Sequence, residues 1–536
     1  MQVKLLDFFG LSMQIFGRKI SLCPDSSTSA CSSSSTSVSR YLIVLLVIIF
    51  FRGISLEYGD LIDPTETRYA TIAQNMLISG DWITPRLPTE TGLELYFSKP
   101  PLHFWLTTLA YKLFGIDEWT SRLPSFLGLL LILASVQLYA NKFLNREIGY
   151  LAGIICVTSP LMFFLAGSST IDVTFAGFTT AAVVAFALAV SQAENKQNFI
   201  IPGLAVFVFA ALGFLTKGPA ALILIGLPVF ALCGFDRSLK SLTSLPWVRG
   251  SLLFLAISIP WFYLVEEANP GSVWYFFAHE NFMRFAVKNY GGLYGAAHIR
   301  PYGSIWWMLA LAIFPWSLYL LQDLYRKTQN YKKFKFSEVN RWHFFMLTWG
   351  LSPIFFFTIA RSVLPAYTIP AIPGLSLYLA CLLSPITVTL GSQASAVDKK
   401  TGFFERFLKI PYPCPAKLGA GLAALMIIGF FFAVPFIEVN RSASEILEVI
   451  ANKTKHKRPI VGTLSTRNYS PYWTSGAFQE ELSKPLDVVY TTEEEVQSGK
   501  YPNLVVKGDE LEKLESQQNY IKVASRGKWH WYRRTR

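Results

Sequence analysis

The chain of 536 residues is 52% hydrophobic and 15% aromatic but only 15% charged, where an ordinary soluble domain is about 25% charged; that deficit, with repeated long apolar runs, excludes a soluble globular protein and marks a polytopic membrane protein. Its net charge of +13 therefore speaks to membrane sidedness and not to nucleic acid. Six cysteines without a CxxC pair exclude a disulfide framework.

Residues 1–40 read as a disordered cytoplasmic tail, because SLCPDSSTSACSSSSTSVS (21–39) is polar and low in complexity. YLIVLLVIIFF follows without a small-residue cleavage site, so an uncleaved first span is expected over 41–57, with Arg52 snorkelling to the interface. LIDPTETRYATIAQNMLISGDWITPRL then opens a first outer loop, 57–121. Tyr69, Ile72, Ala73, Met76 and Leu77 recur at helical spacing. Asp63 suits the N-cap of this helix, Pro64 its first position and Glu66 a capping box, and Gly80-Asp81 stops it. PPLHFWLTTLAYKLFG (100–115) is apolar but short, and reads as an interfacial helix.

Further spans are expected at 122–140, 148–166, 173–192, 199–216, 219–235, 249–265, 303–325, 341–359, 363–385 and 416–437, for about 11 to 13 in all. Basic residues dominate the alternate loops 141–147, 193–198, 235–240, 325–336 and 397–409, which places these loops and the N-terminus in the cytoplasm. Residues 41–437 thus form the membrane domain. Residues 438–536 change character: PLDVVYTT, NLVVKGDELEKL and YIKVASRGKWHWYRR read as strand, strand–helix and closing hairpin of a small extracytoplasmic α/β domain. GTLSTRN lacks the glycine spacing of a phosphate loop.

The outer side gathers chemistry. The first loop supplies Asp63, Glu66, Arg68, Tyr96 and Lys99; later outer turns supply Asp172, Lys217, His279, Glu280, Arg284, Arg361 and Tyr367. A charge within a span costs about 2.5–3.5 kcal/mol on insertion scales. A single one is ordinarily an anchor, and Asp63 and Glu66 have their capping role. Acids and bases collected on one side suit a lipid-linked phosphate, with cations holding the phosphate and a carboxylate activating an acceptor. A transporter of a lipid phosphate or another anion is the alternative, but it would set charges along a midplane route between repeated halves.

TETRYA, SGDWITPRL, YFSKPPLHFWL, GSSTID, TKGP, FFAHENFMRF and RSVLPAYTIPAIPGLSL occur in that order within residues 40–385. This series resembles the bacterial aminoarabinose transferases and protein mannosyltransferases of the integral-membrane GT-C glycosyltransferase class. The resemblance implies a mostly α, polytopic helix bundle in the plasma (inner) membrane with a small extracytoplasmic α/β domain. It implies transfer of a sugar from a polyprenyl-phosphate donor to a lipid, glycan or protein on the extracytoplasmic side. Glu66, Arg68 and Tyr69 fall on the acidic-Arg-Tyr motif; Tyr96 and Lys99 fall on the Tyr-Phe-Glu-Lys-Pro-Pro string, with Lys99 a donor-phosphate ligand. Asp172 matches the acid that orients basic groups, Lys217 and Arg284 the cations on the lipid phosphate, and Tyr367 the tyrosine before the proline-rich span. The motif's aspartate is replaced by Thr65, which leaves Glu66 and Asp63 both open as the base. The glutamate before the lysine is Ser98, and His279, with Glu280 beside it, matches the histidine that would share a metal with that glutamate. The lost carboxylate argues against a divalent metal, and no cofactor is required.

Overall fold

The computed structural model describes residues 12–15, 18–21, 33–89, 92–287, 290, 298–329, 340–384, 415–454, 458–464, 469–477, 485–508, 510 and 519–535. Most of the expected disordered tail lies outside these residues. Within the tail, Ser12–Ile15 and Arg18–Ser21 pair as a short antiparallel hairpin.

Among the described residues, six helices are long and apolar enough to cross a membrane, or seven if one bent pair forms a single span. They include α4 (Glu118–Phe143), α7 (Ile171–Glu194), α8 (Ile200–Lys217) and α10 (Trp247–Ala268). Several other expected spans are shorter or interrupted. The segment expected at 148–166 divides at Ser159-Pro160 into α5 (Arg146–Val157) and α6 (Pro160–Leu165). The segment expected at 303–325 divides into α11 (Ser304–Ala312) and α12 (Trp316–Gln329), bent by 118°. That expected at 363–385 begins as a 3-10 turn, Pro365–Ala371, before α14 (Ile372–Leu383). α13 (Arg341–Thr358) and α15 (Pro415–Arg441) follow their expected ranges closely.

Small residues let α4 and α7 meet. A Cβ on Gly128 would lie 2.8 Å from the Thr174 Cα, and one on Gly177 would lie 2.9 Å from the Gly128 carbonyl oxygen. Ser125 Oγ donates to Thr170 O at 2.7 Å and Thr174 Oγ1 to Pro124 O at 3.1 Å across the same crossing. Close backbones joined by hydroxyls are how helices associate where lipid offers no hydrophobic gain. This crossing fixes the N-terminus of α7, and with it Asp172.

Arg52 corrects the expectation for the first span, α1 (Ser33–Ile54). It does not snorkel: only 1% of it is exposed. Its guanidinium donates to Phe163 O at 2.8 Å, Phe164 O at 3.3 Å and Ser55 Oγ at 2.6 Å, between the rings of Phe163 and Phe430. Phe164 O also accepts from Gly167 N at 3.2 Å and Ser168 Oγ at 3.0 Å, so it is chiefly the Phe163 carbonyl near the end of α6 that Arg52 serves, a charge that the bilayer would exclude.

In the first outer loop, α2 (Thr65–Ser79) ends at Gly80 in the left-handed region, φ 71°, as expected. Its start differs from expectation: Pro64 occupies the N-cap position and no side chain caps the helix. A hairpin that sequence patterning did not reveal, β1 (Arg86–Thr89) with β2 (Gly92–Leu95), follows. α3 (Leu102–Phe114) packs on α2 and α4 with His103 and Phe104 fully buried.

The C-terminal region forms a five-stranded mixed sheet. Its strands are β3 (Ile460–Thr463), β4 (Asp487–Tyr490), β5 (Asn503–Lys507), β6 (Tyr520–Arg526) and β7 (Trp529–Arg534), in the order β4-β3-β5-β7-β6. β3 pairs in parallel with β4 and β5, and β7 is antiparallel to β5 and β6. β4, β5 and the β6–β7 hairpin match the sequence reading; β3 was not singled out. The helix expected after β5 lies largely outside the described residues. Tyr469 and Tyr490 of this region pack with Tyr69, Tyr96 and Phe104 of the first loop.

Candidate active site

Asp172 stands in the first turn of α7 and Lys217 in the last turn of α8, the ends where helix dipoles favour those signs. Lys217 Nζ meets Asp172 Oδ1 at 2.6 Å. The same ammonium lies 4.6 Å from the centre of the Tyr367 ring and 5.3 Å from that of Phe175, a cation–π arrangement. Gly218 then turns the chain at φ 78°, and a Cβ there would lie 2.5 Å from the Phe276 ring. That close approach seats Lys217 beside the π-helical segment Tyr275–Met283.

Glu280, on this segment, gathers a second cluster. Its carboxylate is 1% exposed and accepts from Arg284 Nη1 at 2.6 Å, Ser98 Oγ at 2.8 Å and the Tyr275 hydroxyl at 3.1 Å. Lys99 Nζ lies 3.9 Å away and donates to Ser98 O at 2.7 Å. Burial opposes the Glu280 charge, but Lys99 and Arg284 outweigh it and hold the carboxyl below its ordinary value. Burial pulls Lys99 down to about 8, with Glu280 resisting and Arg284, Lys217 and Arg68 assisting. His279 faces elsewhere: its ring stacks on Tyr275 and its Nδ1 bonds the Tyr290 hydroxyl. Among the described residues no three His, Cys, Asp or Glu side chains form a metal-binding group.

A cavity of about 480 Å³ joins the two clusters. Lys99, Lys217, Glu280 and Arg284 line it together with Tyr367, and Phe276, Phe277, Phe285, Phe356 and Phe357 furnish apolar walls. A cavity lined by three cations and apolar aromatic walls can hold a phosphate that carries an apolar chain.

The first-loop aromatics sit behind this cavity. Arg68 lies over the rings of Tyr69 and Tyr96, at 5.3 and 5.9 Å. His103 was missed by the sequence reading, although it stands in KPPLHFW. Its Nδ1 is 3.2 Å from Thr174 Oγ1, its Nε2 has no partner among the described residues, and burial pulls its pKa down to about 4.

Asp63 and Glu66 are not among the residues lining the cavity. Asp63 is buried against the C-terminal region, where it accepts from Tyr469 N at 2.8 Å, Ser470 N at 3.0 Å, Ser470 Oγ at 2.5 Å and Thr67 Oγ1 at 2.5 Å. It is expected from sequence as the cap of its own helix; it instead receives the N-terminus of α17 (Ser470–Ala477). The expected box does not form: Glu66 reaches past Asp63 and accepts from Ile62 N at 3.0 Å, while Asp63 N donates to Arg441 O. Its other oxygen takes Ser169 N at 2.8 Å and faces Arg122 Nε at 3.5 Å. Arg122 also donates to the carbonyls of Leu56, Tyr58 and Asp60. Arg361, more remote, covers the Tyr302 ring at 3.9 Å.

Comparison with known proteins bears on the fold. Residues 98–264 match the family described as dolichyl-phosphate-mannose-protein mannosyltransferase. The undecaprenyl phosphate-alpha-4-amino-4-deoxy-L-arabinose arabinosyl transferase 2 of Pseudomonas fluorescens Pf-5 is 28% identical over 413 residues, covering 76% of this chain and 65% of the relative. The corresponding transferase of Edwardsiella ictaluri is 31% identical over 353 residues, covering 65% and 59%. The matched regions thus span less than two thirds of these relatives' length. The crystal structure of ArnT from Cupriavidus metallidurans bound to undecaprenyl phosphate superposes with a TM-score of 0.70 at 20% identity, covering 93% of this chain and 98% of that one. The fold is that of a GT-C glycosyltransferase, and the chain is a multi-pass membrane protein similar to aminoarabinose transferases and mannosyltransferases.

Proposed function

We propose that this protein transfers a sugar from a polyprenyl-phosphate donor to a lipid, glycan or protein acceptor on the extracytoplasmic side of the membrane. The observation that carries the proposal is the cavity that Lys99, Lys217 and Arg284 line together with five phenylalanines. The aromatic walls take the first isoprenoid units and the cations take the phosphate. The basic loops at 141–147, 193–198 and 235–240 favour an extracytoplasmic site.

The reaction is displacement at the anomeric carbon. The acceptor oxygen forms the new C–O bond, any proton on it passing to solvent, while the bond from the anomeric carbon to the phosphate oxygen breaks. Both electrons of that bond stay on the phosphate, so a phosphodiester with one negative charge becomes a monoester with two. Lys99, Lys217 and Arg284 stabilise this developing charge, which is where fixed cations assist most. Asp172 orients Lys217 through the 2.6 Å pair. Tyr367 lies against the same ammonium, and Arg68, held over Tyr69 and Tyr96 outside the cavity lining, adds positive charge beside Lys99. With Asp63 and Glu66 engaged by backbone amides, an acceptor that is already anionic, such as a phosphate, fits the site best because it needs little base.

A transporter would spread its charges along a route through the membrane; here they surround one cavity. Purified protein incubated with labelled polyprenyl-phosphate sugars and an acceptor panel should release free polyprenyl phosphate. Lys217→Ala and Asp172→Asn should each lower that release, by about 10–100-fold for the loss of one charge-assisted contact. Release that is unchanged in both variants counts against the assigned site.

A further inference from the structure

Glu280 is a carboxylate at a place where a phosphate should bind. It lines the same cavity as the three cations, and it binds Arg284 directly while facing Lys99 at 3.9 Å. Four donors or cations surround it, so it is the best-satisfied acid of the cavity. A structural pin for Lys99 and Arg284 need not carry a charge, because Ser98 and Tyr275 could be served by any acceptor. Its charge has a separate effect.

Building on the donor-phosphate reading above, we propose that Glu280 is a positioning residue that holds Lys99 and Arg284 ready for the donor and whose charge drives out the spent carrier. Lys99, Lys217 and Arg284 line the cavity with Glu280, Asp172 pairs with Lys217, and the charge of Arg68 is felt at Lys99, so the positive charge that meets the donor is offset but not cancelled. The donor is a singly charged phosphodiester. After transfer the carrier is a monoester with two charges. Repulsion from a fixed carboxylate scales with the charge of the ligand, so Glu280 penalises the monoester twice as strongly as the diester. Without it the cations would favour the product over the substrate and turnover would be limited by release.

The test measures binding of polyprenyl phosphate and of its methyl diester to the full-length protein in detergent at pH 7.5. In Glu280→Gln the diester should bind about tenfold more tightly and the monoester about a hundredfold, which is the order for one unit charge at ~10 Å in an effective dielectric near 20. Glu280→Asp, which keeps the charge, should restore the wild-type ratio. In turnover, Glu280→Gln should show a burst of one equivalent followed by a slow steady state. Equal tightening of both esters, or weakening of both, overturns the proposal and leaves Glu280 a structural pin. The wild type gives a reading without any variant: its monoester and diester affinities should agree within about tenfold, and a monoester preferred a hundredfold or more refutes the proposal. A wild-type protein that binds neither ester refutes the donor-phosphate reading itself, a distinct result.

Discussion

Asp63→Ala removes one acceptor that three donors of the C-terminal region share: Tyr469 N, Ser470 N and Ser470 Oγ. A lost helix cap costs about 1 kcal/mol, and each buried donor left without a partner about 1–3 kcal/mol. Water entering the space left by the side chain offsets part of this. A net weakening of about 2–4 kcal/mol, or about 30- to 1000-fold in the docking equilibrium, is expected. Asp63→Asn should behave differently. Burial pushes the Asp63 carboxyl up, against the hydrogen bonds from Ser470 and Thr67; desolvation thus opposes a charge that an amide does not carry. An amide oxygen can serve both backbone donors, and the variant should lose less than about 1 kcal/mol. Amide hydrogen exchange over α17 and β4 reads docking, and polyprenyl phosphate release reads transfer. Loss of protection in Asp63→Ala, with both protection and transfer kept in Asp63→Asn, is the expected pattern. Transfer abolished in Asp63→Asn while exchange is unchanged would refute this reasoning and return Asp63 to the role of base.

Other consequences can be checked independently. Glu66→Ala leaves Arg122 without its carboxylate in a buried setting; breaking such a pair costs about 3–5 kcal/mol and should lower the melting temperature in detergent. Gly167→Ala should also destabilise, because its Cβ would lie 1.5 Å from Arg52 Nη2 and the guanidinium would lose its three acceptors. With Lys99 pulled down to about 8, its ammonium is present below that pH and lost above it. Donor affinity should therefore fall as pH rises from 7 to 9, by about tenfold for one charge-assisted contact, and Lys99→Arg should flatten the profile.

The cavity residues were legible because each stands where an apolar run meets an outer turn. Asp172, Lys217, Arg284 and Tyr367 could be grouped on one side from loop charge alone, and the fold brings them together with Lys99. The partners of the DPTE stretch were not legible. Asp63 binds Ser470 across 407 residues of sequence and Glu66 binds Ser169 across 103, distances over which no local pattern carries information. Local capping rules did not describe the stretch, since Glu66 reaches back to Ile62 and past Asp63, and tertiary donors claimed Asp63. Hydropathy likewise located the apolar segments but not their breaks. Pro124, Pro228 and Pro260 lie inside continuous helices, whereas α6 and α12 begin next to Pro160 and Pro315. Which proline interrupts a helix depends on whether neighbours satisfy the freed carbonyls. Arg52 shows the same dependence: its acceptors at Phe163 and Phe164 exist only because α6 ends there.

Photo-crosslinking with a polyprenyl phosphate that carries a diazirine near its phosphate end tests the cavity assignment at residue level. Labelling should map to residues 276–285 and 356–357, compete with unlabelled polyprenyl phosphate, and fall sharply in a Lys99→Ala, Arg284→Ala double variant. Labelling on other helices, or labelling of these residues that neither competitor nor double variant reduces, would contradict a donor-phosphate site between Lys99, Lys217 and Arg284.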